Sequence, residues 1–177
     1  GAALAASDSL RVQLFGHGGH GSQPESTVDP VVMAANVVQR LQTIVSRERS
    51  PFEPAVVTVG YIRAGTKDNV IPDEAELGVN VRSFDDDVRG KTLASITRIA
   101  RAESMASGAN KEPAITALHS FPQTIVDDTV MQGIATVFRD HFGADRVLES
   151  PNPVAGSEDV GLFGATIGVP TAFWFWG

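Results

Sequence analysis

Cysteine is absent from this 177-residue chain. That excludes a disulfide framework, a thiolate metal site and a cysteine nucleophile. No apolar run in the sequence reaches the roughly 20 residues a membrane-spanning helix needs. The opening GAALAASD is small and apolar, but lacks the basic start and longer apolar stretch of a secretory signal. Positive charge is in deficit, with 14 basic against 21 acidic residues and a formal net charge of −7. A general nucleic-acid or anionic-membrane surface is not expected from that balance. There is no internal repeat and no low-complexity tract. What is there, 42% apolar residues and 20% charged, fits a soluble globular protein of one ordinary domain or two small ones, and the lack of cysteine is compatible with a cytoplasmic enzyme.

Periodicity organises the first two thirds. Leu10, Val12 and Leu14 alternate with Arg11 and Gln13, which predicts a half-buried strand. After a glycine-rich loop, Asp29-Pro30 reads as an N-cap followed by proline at the first helical position. Val31, Ala34, Ala35, Val38, Leu41, Gln42 and Val45 then fall at helical spacing, predicting a helix to about Arg47. Pro51 and Pro54 break it, and AVVTVGYI over 55–62 reads as a second strand. RAGTKDNVIPD turns the chain. Ala75, Leu77, Val79 and Val81 alternate with polar residues in a third strand over 74–82. A second helix is predicted over about 86–107, with Leu93, Ile96 and Ala100 inward and Gly108 as its stop. Residues 115–118 complete a β-α-β-β-α-β order, an α+β, ferredoxin-like pattern.

The character changes after Ser120. Asp127 or Asp128 is expected to cap a helix with Val130, Ile134, Val137, Phe138 and His141 on one side, ending at Gly143. Ser157 reads as a further helix cap, followed by acids in the first turn. The end, TAFWFWG, is apolar on both faces and reads as a strand for a sheet covered on both sides. The residues after 120 offer no such sheet, so part of a second domain is expected to be missing.

The loop GHGGHGSQP carries the chemistry. Gly16, Gly18 and Gly21 fit G-x-G-x-x-G after a strand. A dinucleotide loop also needs a helix opening within the glycines, and Asp29-Pro30 delays it. His17 and His20 could chelate a metal, but a zinc site needs three or four ligands, and His119 and His141 lie in other elements. Two solvated loop histidines remain the plain alternative. Glu158 and Asp159 are adjacent, so they point in different directions and receive no paired proton-transfer role.

Taken in order, GAALAASD, GHGGHGSQP, DPVVMAANVVQRLQTIVSRE, AGTKDNVIPDEAELGVNVRSF and GSEDVGLF resemble the M20 metallopeptidases. The likeness is strongest to the branch of amidohydrolases acting on N-acyl amino acids, hippurate-hydrolase-like enzymes among them. It implies a ferredoxin-like lid over 9–119, usually a homodimerisation domain. Residues 1–8 would then end the N-terminal half of a zinc-peptidase-like α/β catalytic domain, and 120–177 would begin its C-terminal half. It implies hydrolysis of the amide of an N-acyl amino acid or small peptide by water activated on a divalent metal, zinc or manganese. The metal ligands and the general-base glutamate are expected outside this sequence, with none among its own residues, so the chain alone is expected to be inactive.

The same resemblance implies three site residues. His20 would reach a partner subunit's site and meet the oxygen of the tetrahedral intermediate. Glycines 18, 19 and 21 would let the backbone turn sharply and bring the imidazole close. Asn69 would contact substrate, its plain alternative being a turn asparagine. Arg82 would bind the substrate carboxylate, its plain alternative being a surface arginine beside an acid. Many relatives carry Pro-His where this chain has Pro24-Glu25, which leaves the substrate open. The alternative of another class is a non-catalytic ferredoxin-like module for dimerisation or small-ligand binding.

Overall fold

A computed structural model describes residues 1–176. In chain order the elements are β1 (Ala2–Leu4), β2 (Ala6–Phe15), β3 (Gly19–His20), α1 (Pro30–Arg47), β4 (Ala55–Ala64), β5 (Val70–Ile71) and β6 (Glu74–Ser83). They continue with α2 (Asp86–Ala106), β7 (Ala114–Phe121), β8 (Thr124–Ile125), α3 (Asp128–Phe142) and α4 (Val160–Ile167). The chain forms two compact units, one of Asp8–Ser120 and one of Gly1–Ser7 with the residues from Phe121 on.

The larger unit is a four-stranded sheet in the order β4-β6-β2-β7. Its second strand lies at one edge, beside the third, and the first lies between third and fourth, which is the ferredoxin-like order. Strict alternation builds it: Leu10, Val12 and Leu14 of β2 and Ala75, Leu77, Val79 and Val81 of β6 are all buried. They pack with Met33, Val37, Leu41 and Ile44 of α1 and with Ile96, Ile99 and Ala100 of α2 in one core. Asp29 caps α1, its carboxylate accepting from the N–H groups of Val31 and Val32. At the other end, Glu48 accepts from the Ser95 hydroxyl and the Arg98 guanidinium, which fastens α1 to α2. The hydrogen bonds of Arg98 and Ser95 hold the Glu48 carboxyl below its ordinary value.

One expectation about α1 is corrected. Its buried stripe is Pro30, Met33, Ala34, Val37, Leu41 and Ile44, while Val31, Ala35, Gln42 and Val45 are exposed. The helix carries two apolar stripes that share Ala34 and Leu41, so spacing alone does not set the phase. The stripe with the longer Met33 and Ile44 fills the core, and Val31, Val32 and Val45 remain outward at 44%, 55% and 40% exposure. The β4–β6 hairpin also holds a bulge between Val59 and Tyr61. The extra residue shifts Tyr61 opposite Gly78 and Arg63 opposite Glu76. Tyr61 donates to the Glu76 carboxylate there at 2.9 Å.

In the smaller unit, β1 and β8 pair antiparallel, Ala2 with Ile125 and Leu4 with Thr124. Asp127 caps α3 through the Val130 N–H, and Gly143 ends it. No residue of α3 is buried. Ser157 is not the N-cap: α4 begins at Val160, and its N-cap is Asp159, which makes no side-chain cap hydrogen bond. Ser157 stands too far ahead of that turn. The tail does not form the expected strand either. Residues 169–176 have no strand pairing, and Gly177 lies outside the described residues. Instead Trp174 and Trp176 make edge contacts with Phe138 and Phe142 of α3. An apolar strand without a neighbouring strand has no ladder to join. Among the described residues, no helix is long and apolar enough to cross a membrane.

Candidate functional site

His20 sits on a short ribbon that the secondary-structure pattern did not predict. β3 and β5 pair antiparallel, Gly19 with Ile71 and His20 with Val70. One rung further, the Gly21 N–H donates to the Asn69 carbonyl at 2.8 Å. The glycine loop and the DNVIPD loop are thus one structure, and the backbones of His20 and Asn69 occupy adjacent rungs. Both residues are exposed.

Asp73 anchors this ribbon to the sheet. Its carbonyl accepts from the Gly16 N–H at 2.7 Å, and its carboxylate accepts from the Gly18 N–H at 2.8 Å. The glycines serve this close approach. None of Gly16, Gly18, Gly19 and Gly21 has positive φ, so the expected sharp turn is not their reason. A Cβ on Gly16 would lie 2.1 Å from the Val28 carbonyl oxygen, and one on Gly18 2.5 Å from that of Ile71. Both obstacles are backbone, which cannot rotate away. Gly16→Ala is therefore expected to destabilise the unit by about 1–3 kcal/mol, as overpacking does. Thermal unfolding of the variant measures this, and an unchanged midpoint would show that the loop is not held as described.

The His20 ring is held from within the loop. Its Nδ1 lies 2.7 Å from the Ser22 hydroxyl and 3.2 Å from the Ser22 backbone nitrogen. His17 is also exposed, and its backbone forms a bridge with Val28. Among the described residues no three His, Asp or Glu side chains come together as a group that could hold a metal ion. The described residues therefore do not fit a metal site by themselves.

Arg82 lies elsewhere. It is next to last in β6, whereas the ribbon joins that strand's beginning through Asp73. The seven residue steps from Ala75 to Arg82 span about 23 Å at 3.3 Å per residue. Half-buried Arg82 donates through Nε to the Asn80 side-chain oxygen at 2.9 Å. Asn80 in turn donates to the Asp8 carbonyl and the Ser9 hydroxyl of β2. The guanidinium is thus oriented by an amide that is itself fixed on the neighbouring strand. Two surface concavities, one along Val130, Ile134 and Phe138 and one beside Arg98, Arg101 and Lys111, contain none of His20, Asn69 and Arg82.

Sequence reasoning missed Ser22, Asp73 and Asn80. Ser22, two residues after a loop histidine, carried a local signal, because such a side chain reaches back easily. Asp73 acts on Gly18, 55 residues earlier, and nothing local announces that partner.

Comparison with known proteins places this geometry in a family. Hippurate hydrolase from Campylobacter jejuni is 35% identical over 163 residues, 92% of this chain and 42% of that enzyme. An N-acyl-L-amino acid amidohydrolase from Geobacillus stearothermophilus is 40% identical over 112 residues, 63% of this chain and 30% of that one. The chain spans less than half the length of either relative. The fold matches that of the Bacillus subtilis YXEP protein, a dinuclear metal binding peptidase of the M20 family, with TM-score 0.69 and 24% identity over 96% of this chain and 40% of that one. Residues 4–107, which hold His20, Asn69 and Arg82, match the peptidase dimerisation domain of the M20 family, and the chain belongs to that family.

Proposed function

We propose that this chain is part of a homodimeric, metal-dependent amidohydrolase that cleaves the amide of N-acyl amino acids or small peptides in the cytoplasm. The unit of Asp8–Ser120 is its lid, and the residues from Phe121 on belong to its catalytic domain. His20 donates a hydrogen bond to the carbonyl oxygen as it becomes an oxyanion. Asn69 contacts substrate beside it. Arg82 binds the free carboxylate, a task suited to a planar guanidinium. The metal, zinc or manganese, would supply the activated water. Its ligands are assigned to segments other than this chain, which by itself does not turn substrate over.

The observation that carries this reading is the separation of the site residues. The scissile carbonyl and the carboxylate of an N-acyl amino acid are a few bonds apart. The ribbon that carries His20 joins the beginning of β6 through Asp73, and Arg82 lies near the strand's other end, about 23 Å of strand from Ala75. Placement toward opposite ends of one strand favours a site in which one substrate meets His20 of one copy and Arg82 of another. The outward Val31, Val32 and Val45 of α1 and the edge strand β4, with Val56 and Ile62 exposed, offer apolar surface for such pairing.

Mixed dimers test it. In the protein expressed from its complete reading frame, His20→Ala and Arg82→Ala should each abolish most hydrolysis of hippurate. Co-expressed, they should regain about a quarter of wild-type activity, because half the dimers are hybrids and each hybrid has one intact site of two. Hybrids that form and remain inactive would overturn the shared site. Turnover by the 177-residue chain alone would overturn the assignment of the metal ligands.

A further inference from the structure

The contact between His20 and Ser22 decides which ring nitrogen carries the hydrogen. A backbone N–H can only donate. The Ser22 N–H points at His20 Nδ1 from 3.2 Å, so Nδ1 must present its lone pair. The Ser22 hydroxyl, 2.7 Å from the same atom, can turn its hydrogen to suit, and donates too. In a neutral imidazole one nitrogen is donor and the other acceptor. With Nδ1 an acceptor, the hydrogen is on Nε2. Among the described residues, Nε2 has no hydrogen-bond partner, and His20 is exposed.

We propose that Ser22 is a positioning residue that locks His20 as the Nε2–H tautomer, leaving Nε2 as a hydrogen-bond donor for an oxygen outside the lid. This rests on the reading above, that His20 meets the substrate oxygen, and adds how the chain prepares it. A histidine free to change tautomer presents a lone pair at Nε2 part of the time, and that lone pair repels an oxyanion. The lock removes this state before substrate arrives, so no reorganisation is left for the reaction. It also assigns His20 a donor's role and not a base's, since a base needs an empty Nε2. Gly21, between the two residues, is fixed by its N–H bond to the Asn69 carbonyl. The ribbon therefore holds the backbone that aims the Ser22 N–H.

Long-range proton–nitrogen correlation spectra of the 177-residue chain, labelled with nitrogen-15 in its histidine rings, read the tautomer directly. The pH should be about 9, well above the histidine range. His20 should show a bare Nδ1 and a protonated Nε2. Ser22→Ala should move both resonances toward the averaged values of a free imidazole, and Ser22→Thr, which keeps the hydroxyl, should not. A protonated Nδ1 in the wild type, or shifts unmoved by Ser22→Ala, would overturn the lock. In the complete enzyme, Ser22→Ala should lower kcat about tenfold at unchanged KM, less than the loss expected for removing the donor itself. If the tautomer shifts while kcat stays, the lock stands and the role proposed for His20 falls.

Discussion

Under the function proposed above, replacing His20 with alanine is expected to lower kcat for an N-acyl amino acid such as hippurate by about 10²–10³ in the complete enzyme, with KM nearly unchanged. That corresponds to about 3–4 kcal/mol of transition-state stabilisation. The direction follows from what the ring can do. A neutral imidazole with its hydrogen on Nε2 bonds weakly to a ground-state carbonyl and more strongly to the oxyanion that replaces it. Loss of such an interaction falls on kcat. The variant is expected to fold normally, because His20 is exposed and, among the described residues, its side chain hydrogen-bonds to Ser22 alone. The β3–β5 ribbon is built from backbone bonds that alanine keeps. Steady-state kinetics beside a thermal unfolding curve separate the cases. A raised KM at unchanged kcat would make His20 a ground-state binding residue. A lowered unfolding midpoint would make it structural.

Much of the fold was legible because its signals are local. Asp29-Pro30 fixes the start of α1, and the structure begins that helix at Pro30. The alternation of Ala75, Leu77, Val79 and Val81 marks β6, where all four are buried. The phase of α1 was not legible, since two apolar stripes compete and only the sheet beneath selects one. Nor was the ribbon that carries His20. β3 and β5 are two residues each, too short for any period, and their register depends on Asp73 binding Gly16 and Gly18 across the chain. The site followed the same division. The residue types were readable in GHGGHGSQP and DNVIPD. Their adjacency, and the remoteness of Arg82 from them, come from the sheet order and the length of β6.

The second large effect belongs to a cluster that no local pattern announces. Asp8 is the first residue of the larger unit and Ser120 the last, and Arg89 of α2 joins them. The guanidinium grips the carboxylate with two bonds of 2.7 Å, Nε to one oxygen and Nη2 to the other. The Ser120 hydroxyl donates to the same carboxylate at 2.8 Å. The Asp8 side chain is only 7% exposed and that of Arg89 22%. Asp8→Ala leaves the half-buried guanidinium with the exposed Asp86 carboxylate, 3.9 Å away, as a much weaker counter-charge, and is expected to destabilise the unit by about 3 kcal/mol. Hydrogen exchange of the buried β2 and β6 amides reads this unit's own opening.

The pH dependence gives that prediction its sign. Burial pushes the Asp8 carboxyl up, but the Arg89 hydrogen bonds, the Ser120 hydroxyl and the Arg89 charge together outweigh it and hold the group below 3.8, its ordinary value. The native state therefore binds fewer protons at this site than the unfolded chain does. The contribution is full above the ordinary carboxylate value and is lost as pH falls through the lowered one. The gap between wild type and Asp8→Ala should be constant near neutrality and close in acid. A gap below about 1 kcal/mol, the size of an exposed pair, or one that persists in acid, would remove the ion pair as its cause. Asp8→Ala combined with Arg89→Met should recover part of the loss, because the stranded charge, more than the missing attraction, makes the single change costly.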